Sequence, residues 1–197
     1  MDLDALQARR TFLVRQRLTL MVNRYEVRAL DAAGTAGTAG TAGPVIAFAQ
    51  QKRMAFREQV TLYTDESRRE VLAGFKARSV IDIGATYDVT DGSGAPIGLF
   101  RKDFARSLLR STWLVEQPGL ATMSGQERDV VVAVLRRFAD LDFLPYHFDF
   151  VREGAPAFSV TKKWGIRDTY VVAVDDDQVD RRLVIAMAVA LDALQGR

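Results

Sequence analysis

The sequence predicts a β-rich domain whose strands close around the chain's own C-terminal helix. Three observations predict it. Short segments with apolar and polar residues alternating recur along most of the chain, which puts one face of each strand in a core and the other in solvent. Acidic and glycine-rich turn clusters separate these segments, with Asp65, Asp91 and Glu116 about 25 residues apart, as in a repeated two-strand unit. Finally, the segment Leu183–Leu191 is apolar on every side at helical spacing, so protein must surround it.

The strands follow in order. Phe12–Arg17 and Tyr25–Asp31 form the first pair, Ile46–Lys52 and Val60–Asp65 the second, and Val71–Lys76 and Ala85–Asp91 the third. Ile97–Lys102 with Ser111–Glu116 makes a fourth, and Ala157–Lys163 with Thr169–Asp175 a last. Tyr146–Arg152 also alternates. Clusters such as Asp91-Gly-Ser-Gly-Ala-Pro96 stop one strand and start the next. Many short strands at this spacing argue for a barrel or sandwich over a parallel α/β sheet.

Two stretches interrupt the alternation. Residues 34–43, Gly-Thr-Ala repeated and closed by Gly43, read as a flexible loop, because small residues cannot hold a packed conformation. No Gly-Lys-Ser/Thr follows them, which separates the repeat from a phosphate-binding loop. Residues 124–138 read as a short amphipathic helix on the outside of the barrel. Ser124 and Glu127 fit a capping box, Val131, Val134, Leu135 and Phe138 share a face, and Arg136 and Arg137 suit the C-terminal dipole.

The C-terminal segment Arg181–Leu194 is Ala- and Leu-rich and free of Gly and Pro, with Asp175, Asp176, Asp177 and Asp180 placed to cap it. Its apolar run falls far short of the roughly 20 residues that cross a bilayer, so the strands themselves must enclose it. Asp192, near its end, belongs at the barrel mouth or is paired inside with an arginine.

Composition narrows the function. The 197 residues suit a single domain spanning 1–197 and suffice for a sizeable core. The net charge is only +2, and 22 of 27 basic residues are Arg, so the high isoelectric point does not imply a strongly positive surface. Nucleic-acid binding is therefore not expected. The absence of cysteine removes disulfides, thiolate metal sites and Cys nucleophiles. The opening segment lacks a secretory signal, and together with the missing transmembrane segment this points to the cytoplasm.

Catalytic chemistry finds few candidates. His147 is the single histidine and sits in an alternating strand, Tyr-His-Phe-Asp-Phe, as a polar strand position. A zinc site would need three carboxylates beside it. Gly-x-Ser-x-Gly is absent, so no Ser-His-Asp triad is built. The acidic run 175–180 lacks the order of a calcium loop and reads as a capping turn. Trp113 and Trp164 read as core or lid packing. What recurs is basic: Lys52-Arg53, Arg101-Lys102 and Lys162-Lys163 hold the same place in successive repeats. In a barrel they gather along one rim, where they suit the phosphates of an anionic lipid.

The stretch Lys162-Lys-Trp-Gly-Ile-Arg-Asp-Thr-Tyr-Val-Val-Ala-Val-Asp175 and the helix after it resemble the end of LURP-one-related proteins, which group with tubby C-terminal domains and phospholipid scramblases. The strand pairs Phe12–Glu116 resemble the barrel of the same group. This resemblance implies a closed antiparallel barrel of about twelve strands threaded by the C-terminal helix. It also implies a non-enzymatic module without cofactor or metal that binds an anionic, phosphoinositide-like lipid; Lys52, Arg53, Arg101, Lys102, Lys162 and Lys163 are the candidates for that binding by their place in the repeats, not by a family motif. Such a protein would be cytoplasmic or peripheral at the inner face of a membrane. The rival expectations are a scramblase-like protein and a ligand-free interaction scaffold.

Overall fold

The computed structural model describes residues 2–17, 23–30, 42–51, 59–79, 86–103, 111–129, 147–163 and 169–195. Among these, a short helix α1 (Leu3–Gln7) leads into twelve strands. They are β1 (Thr11–Arg17), β2 (Arg24–Leu30), β3 (Ala42–Gln51), β4 (Gln59–Tyr63), β5 (Val71–Ala77) and β6 (Thr86–Asp91), followed by β7 (Pro96–Lys102), β8 (Thr112–Glu116), β9 (Met123–Glu127), β10 (His147–Arg152), β11 (Ala155–Lys163) and β12 (Thr169–Val174). Helix α2 (Arg181–Gln195) follows. Each strand pairs antiparallel with its sequence neighbours, and β1 pairs with β12, which closes the barrel. Closure leaves the barrel no free sheet edge.

The alternation decides what faces inward. Phe12 and Val14 of β1, Phe75 of β5, Phe100 of β7 and Val172 of β12 are buried, with less buried residues between them. An aromatic ladder crosses β5 to β8: Phe75 meets Tyr87 and Phe100 edge-on, Tyr87 stacks on Phe100, and Phe100 meets Trp113 edge-on. Every residue of α2 from Leu183 to Leu191 is fully buried. The helix fills the barrel because its small residues, Ala186, Ala188 and Ala190, let the wall approach closely.

Antiparallel connectivity sorts the chain between two rims. Helix α2 begins at the lower rim: the Arg181 guanidinium donates to the carbonyl of Arg9, just before β1, and the Asp180 amide donates to Gln117, just after β8. It ends at the upper rim, where Tyr25 and Tyr170, near the starts of β2 and β12, both donate to the Asp192 carboxylate. Asp192 is therefore paired inside the barrel, where two tyrosines donate to it.

The expected outer helix 124–138 is corrected over its first residues. Met123–Glu127 is strand β9, paired with both β8 and β10. Ser-x-x-Glu fits a capping box, but here Met123, Gly125 and Glu127 form the buried face of a strand. From Val130 onward that helix lies outside the described residues. Likewise Ala42 and Gly43, given to the loop 34–43, open β3, and residues 34–41 lie outside the described residues.

Gly125 shows how tightly the wall is packed. It pairs with Phe150, and a Cβ there would lie 2.1 Å from the Phe150 ring, whose own face stacks on Phe158 at 4.1 Å. Gly125→Ala is expected to cost about 2–3 kcal/mol by overpacking. Urea titration checks this, and an unchanged midpoint would mean the ring has room to move.

Candidate functional site

The upper rim is where β1, β3, β5, β7, β9 and β11 end and the strands paired with them begin. Arg101 and Lys102 close β7, and Lys162 and Lys163 close β11. Both pairs therefore reach this rim. Four strand spacings separate them, about 19 Å around the wall at the usual spacing. Lys52 and Arg53 follow Gln51, the last residue of β3, and lie outside the described residues.

Within each pair the two cations part company, because successive strand residues face opposite sides. Lys102 shares its face with buried Phe100, and Lys162 with buried Val160, so both point toward the barrel mouth. The Lys162 ammonium sits 6.0 Å from the centre of the Tyr170 ring, its cross-strand partner. Arg101 and Lys163 face outward. Arg101 meets Glu116 at 3.4 Å, while Lys163 is exposed. A basic doublet on a strand thus supplies one cation to the mouth and one to the outer wall.

On the outer wall at the same rim, a groove of about 370 Å³ crosses β4, β5 and β6. Gln59, Lys76 and Asp88 line up across the three strands, and Thr90 lies one step below in register with Gly74. Gly74 forms the floor, since it has no side chain to fill the space between its neighbours. Arg78 extends past the end of β5 and holds Asp88 through a fork of two hydrogen bonds, Nε to Oδ2 at 3.0 Å and Nη2 to Oδ1. That contact keeps the Asp88 carboxyl below the ordinary carboxylate range. Lys76 is exposed and meets no carboxylate within ion-pair distance among the described residues. The groove therefore offers an ammonium, an amide and a hydroxyl beside the Arg78–Asp88 pair. This set suits a phosphate carried on a hydroxyl-bearing body.

Sequence inspection for adjacent basic pairs passed over Lys76 and Arg78. The signal that finds them is Lys-x-Arg at a strand end, because residues two apart share a face and adjacent ones do not.

The remaining candidates are taken up structurally. Asp176 pairs with Arg152 at 2.7 Å, Asp177 with Arg10, and Asp180 with Arg182 at 2.6 Å. The carboxyl of Asp180 is pushed up by burial, yet hydrogen bonds from Arg182 and Gln7 outweigh this and hold it below the ordinary value. His147 faces outward beside the Arg128–Asp149 pair; burial, then the Arg128 charge, lowers its pKa. Among the described residues no three His, Asp or Glu side chains group to hold a metal ion, and no helix is long and apolar enough to cross a membrane.

No curated protein and no solved structure matches the chain. The sequence model of one family, described as LURP-one-related, matches residues 45–192, from β3 to near the end of the helix that fills the barrel. A closed twelve-stranded barrel with its C-terminal helix inside, matched over most of its length, makes this chain a member of the LURP-one-related family.

Proposed function

We propose that this chain is a non-enzymatic binding module that takes the phosphorylated headgroup of an anionic lipid at its upper rim. The observation that carries this reading is the groove on β4–β6, where Lys76, with no carboxylate at ion-pair distance among the described residues, stands beside Arg78, Gln59 and Thr90. The distribution of lysine supports it. Among the described residues Lys76, Lys102, Lys162 and Lys163 all lie at the upper rim, beside the ion pairs Arg78–Asp88 and Arg128–Asp149. A cationic end facing an anionic surface orients the barrel, with Lys163 and Lys76 on the outer wall and Lys102 and Lys162 at the mouth. On this reading the protein is cytoplasmic and peripheral at the inner face of a membrane, and it acts without cofactor.

Co-sedimentation with vesicles tests it. The protein is expected to pellet with vesicles containing phosphatidylserine and a phosphoinositide, and not with neutral phosphatidylcholine. Binding should weaken on going from low to near-physiological salt. Lys76→Ala is expected to weaken it about fivefold, and Lys162→Ala/Lys163→Ala by a larger factor, at roughly 1 kcal/mol for each cation near the surface. Absence of pelleting at low salt would overturn the reading and favour a protein-interaction scaffold. Acceleration of lipid exchange between leaflets would favour a scramblase-like role.

A further inference from the structure

We propose that the inside of the upper rim carries a second site, for a small carboxylate, built on Trp113, Ser111 and Lys102. It is separate from the outer groove and does not depend on it.

Trp113 is 3% exposed, and its indole Nε1 is buried with no hydrogen-bond partner among the described residues. The hydroxyl of Ser111, two residues earlier, is also buried and has no partner among the described residues. Residues two apart on one extended segment share a face, so both unmet groups belong to the inward face of the wall. An indole N–H can only donate, and leaving it buried and unpaired is costly, so the missing neighbour is an acceptor.

Lys102 is the cross-strand partner of Trp113 on β7 and lies on the inward face with Phe100. Its charge makes the preferred acceptor an anion. The number of charges is limited from the other side. Glu127, 1% exposed, ends β9 beside Ser111, with its backbone amide donating to the Ser111 carbonyl at 3.4 Å. A dianion such as sulfate would meet that buried carboxylate at close range, whereas a carboxylate carries one charge and two acceptor oxygens. One oxygen suits the indole N–H and the other the serine hydroxyl, with Lys102 supplying the counter-charge. Lys102 and Glu127 make other contacts as well. The vacancy to be filled is that of the indole and the hydroxyl.

The chain has two tryptophans, so Trp164→Phe leaves Trp113 as the single indole N–H resonance in a ¹⁵N-correlated spectrum of the full chain. Acetate is titrated against chloride at constant ionic strength, with sulfate in a parallel arm. The expected result is a saturable downfield movement of the Trp113 indole with acetate and none with sulfate. Ser111→Ala and Lys102→Met should each weaken the response about tenfold, in line with the loss of one charge-assisted hydrogen bond. If Lys102→Met unfolds the barrel, Ser111→Ala alone decides, given an unchanged melting temperature. No movement, movement that tracks chloride equally, or a resident water cross-peak at the indole that acetate leaves unchanged would overturn the proposal.

Discussion

A chain ending at Asp177, without helix α2, is expected to lose cooperative unfolding. Leu183, Val184, Ile185, Met187, Val189 and Leu191 are each fully buried in the barrel. At about 2 kcal/mol for each such side chain, removing them takes away on the order of the entire net stability of a domain this size. A twelve-stranded wall without its helix also cannot collapse to fill the space, because strand number and tilt fix its diameter. Its inward aromatics, Phe75, Tyr87, Phe100 and Trp113, would then face water. The expected truncate keeps some β signal in far-ultraviolet circular dichroism but loses near-ultraviolet fine structure and binds a hydrophobic dye. Its urea transition should be broad. A sharp transition with the slope of the full chain would show that the wall holds itself up, and would remove the helix from its role as core.

Most of this architecture is legible in the sequence because both of its periodicities are clean. Segments read as alternating fall on eleven of the twelve strands, and α2 is apolar all round, which forces an enclosure. The one strand missed, β9, has no apolar alternation to find: its inward positions are Met123, Gly125 and Glu127. Glycine there makes room for Phe150 from the neighbouring strand, a requirement set by register and invisible locally. Helix α1, five residues long, is too short to show a period. The candidate site was less legible. The adjacent basic pairs of β7 and β11 end at the upper rim, but the pleat divides each pair between inside and outside, and only the register aligns Gln59, Lys76 and Asp88. Asp192 could be placed near the barrel mouth from its position in the helix. Its partners, Tyr25 and Tyr170, lie on strands joined only through the closing β1, so the sequence does not reveal them.

Arg181→Met is expected to cost about 3–5 kcal/mol, the scale for removing one partner from a buried polar network, and to lower the melting temperature by roughly 10 °C or more. Its side chain is 1% exposed, yet its guanidinium is not held chiefly by a carboxylate. It donates to the carbonyls of Arg9, Asp176, Asp177 and Val179 at 2.9, 3.0, 3.3 and 2.7 Å, and to the Asp177 carboxylate at 3.3 Å. A single planar fork thus ties the segment before β1, the acidic turn and the first turn of α2 into one knot. Gln7 of α1 reinforces it, receiving the Arg181 amide at 3.0 Å and donating to Asp180 at 2.9 Å. Methionine fills the volume but strands buried carbonyls that no water easily reaches. Arg181→Lys keeps the charge without the fork and should recover only part of the loss. Because this knot seals the lower rim, both variants, assayed below their melting temperatures, should keep the vesicle affinity of the parent chain. Loss of vesicle binding in a folded Arg181→Lys protein would instead place the lipid surface at the lower rim, against the placement of Lys76 and Lys163. A melting temperature unchanged in Arg181→Met would mean that the carbonyl cluster finds other donors and that the helix is held by its apolar faces alone.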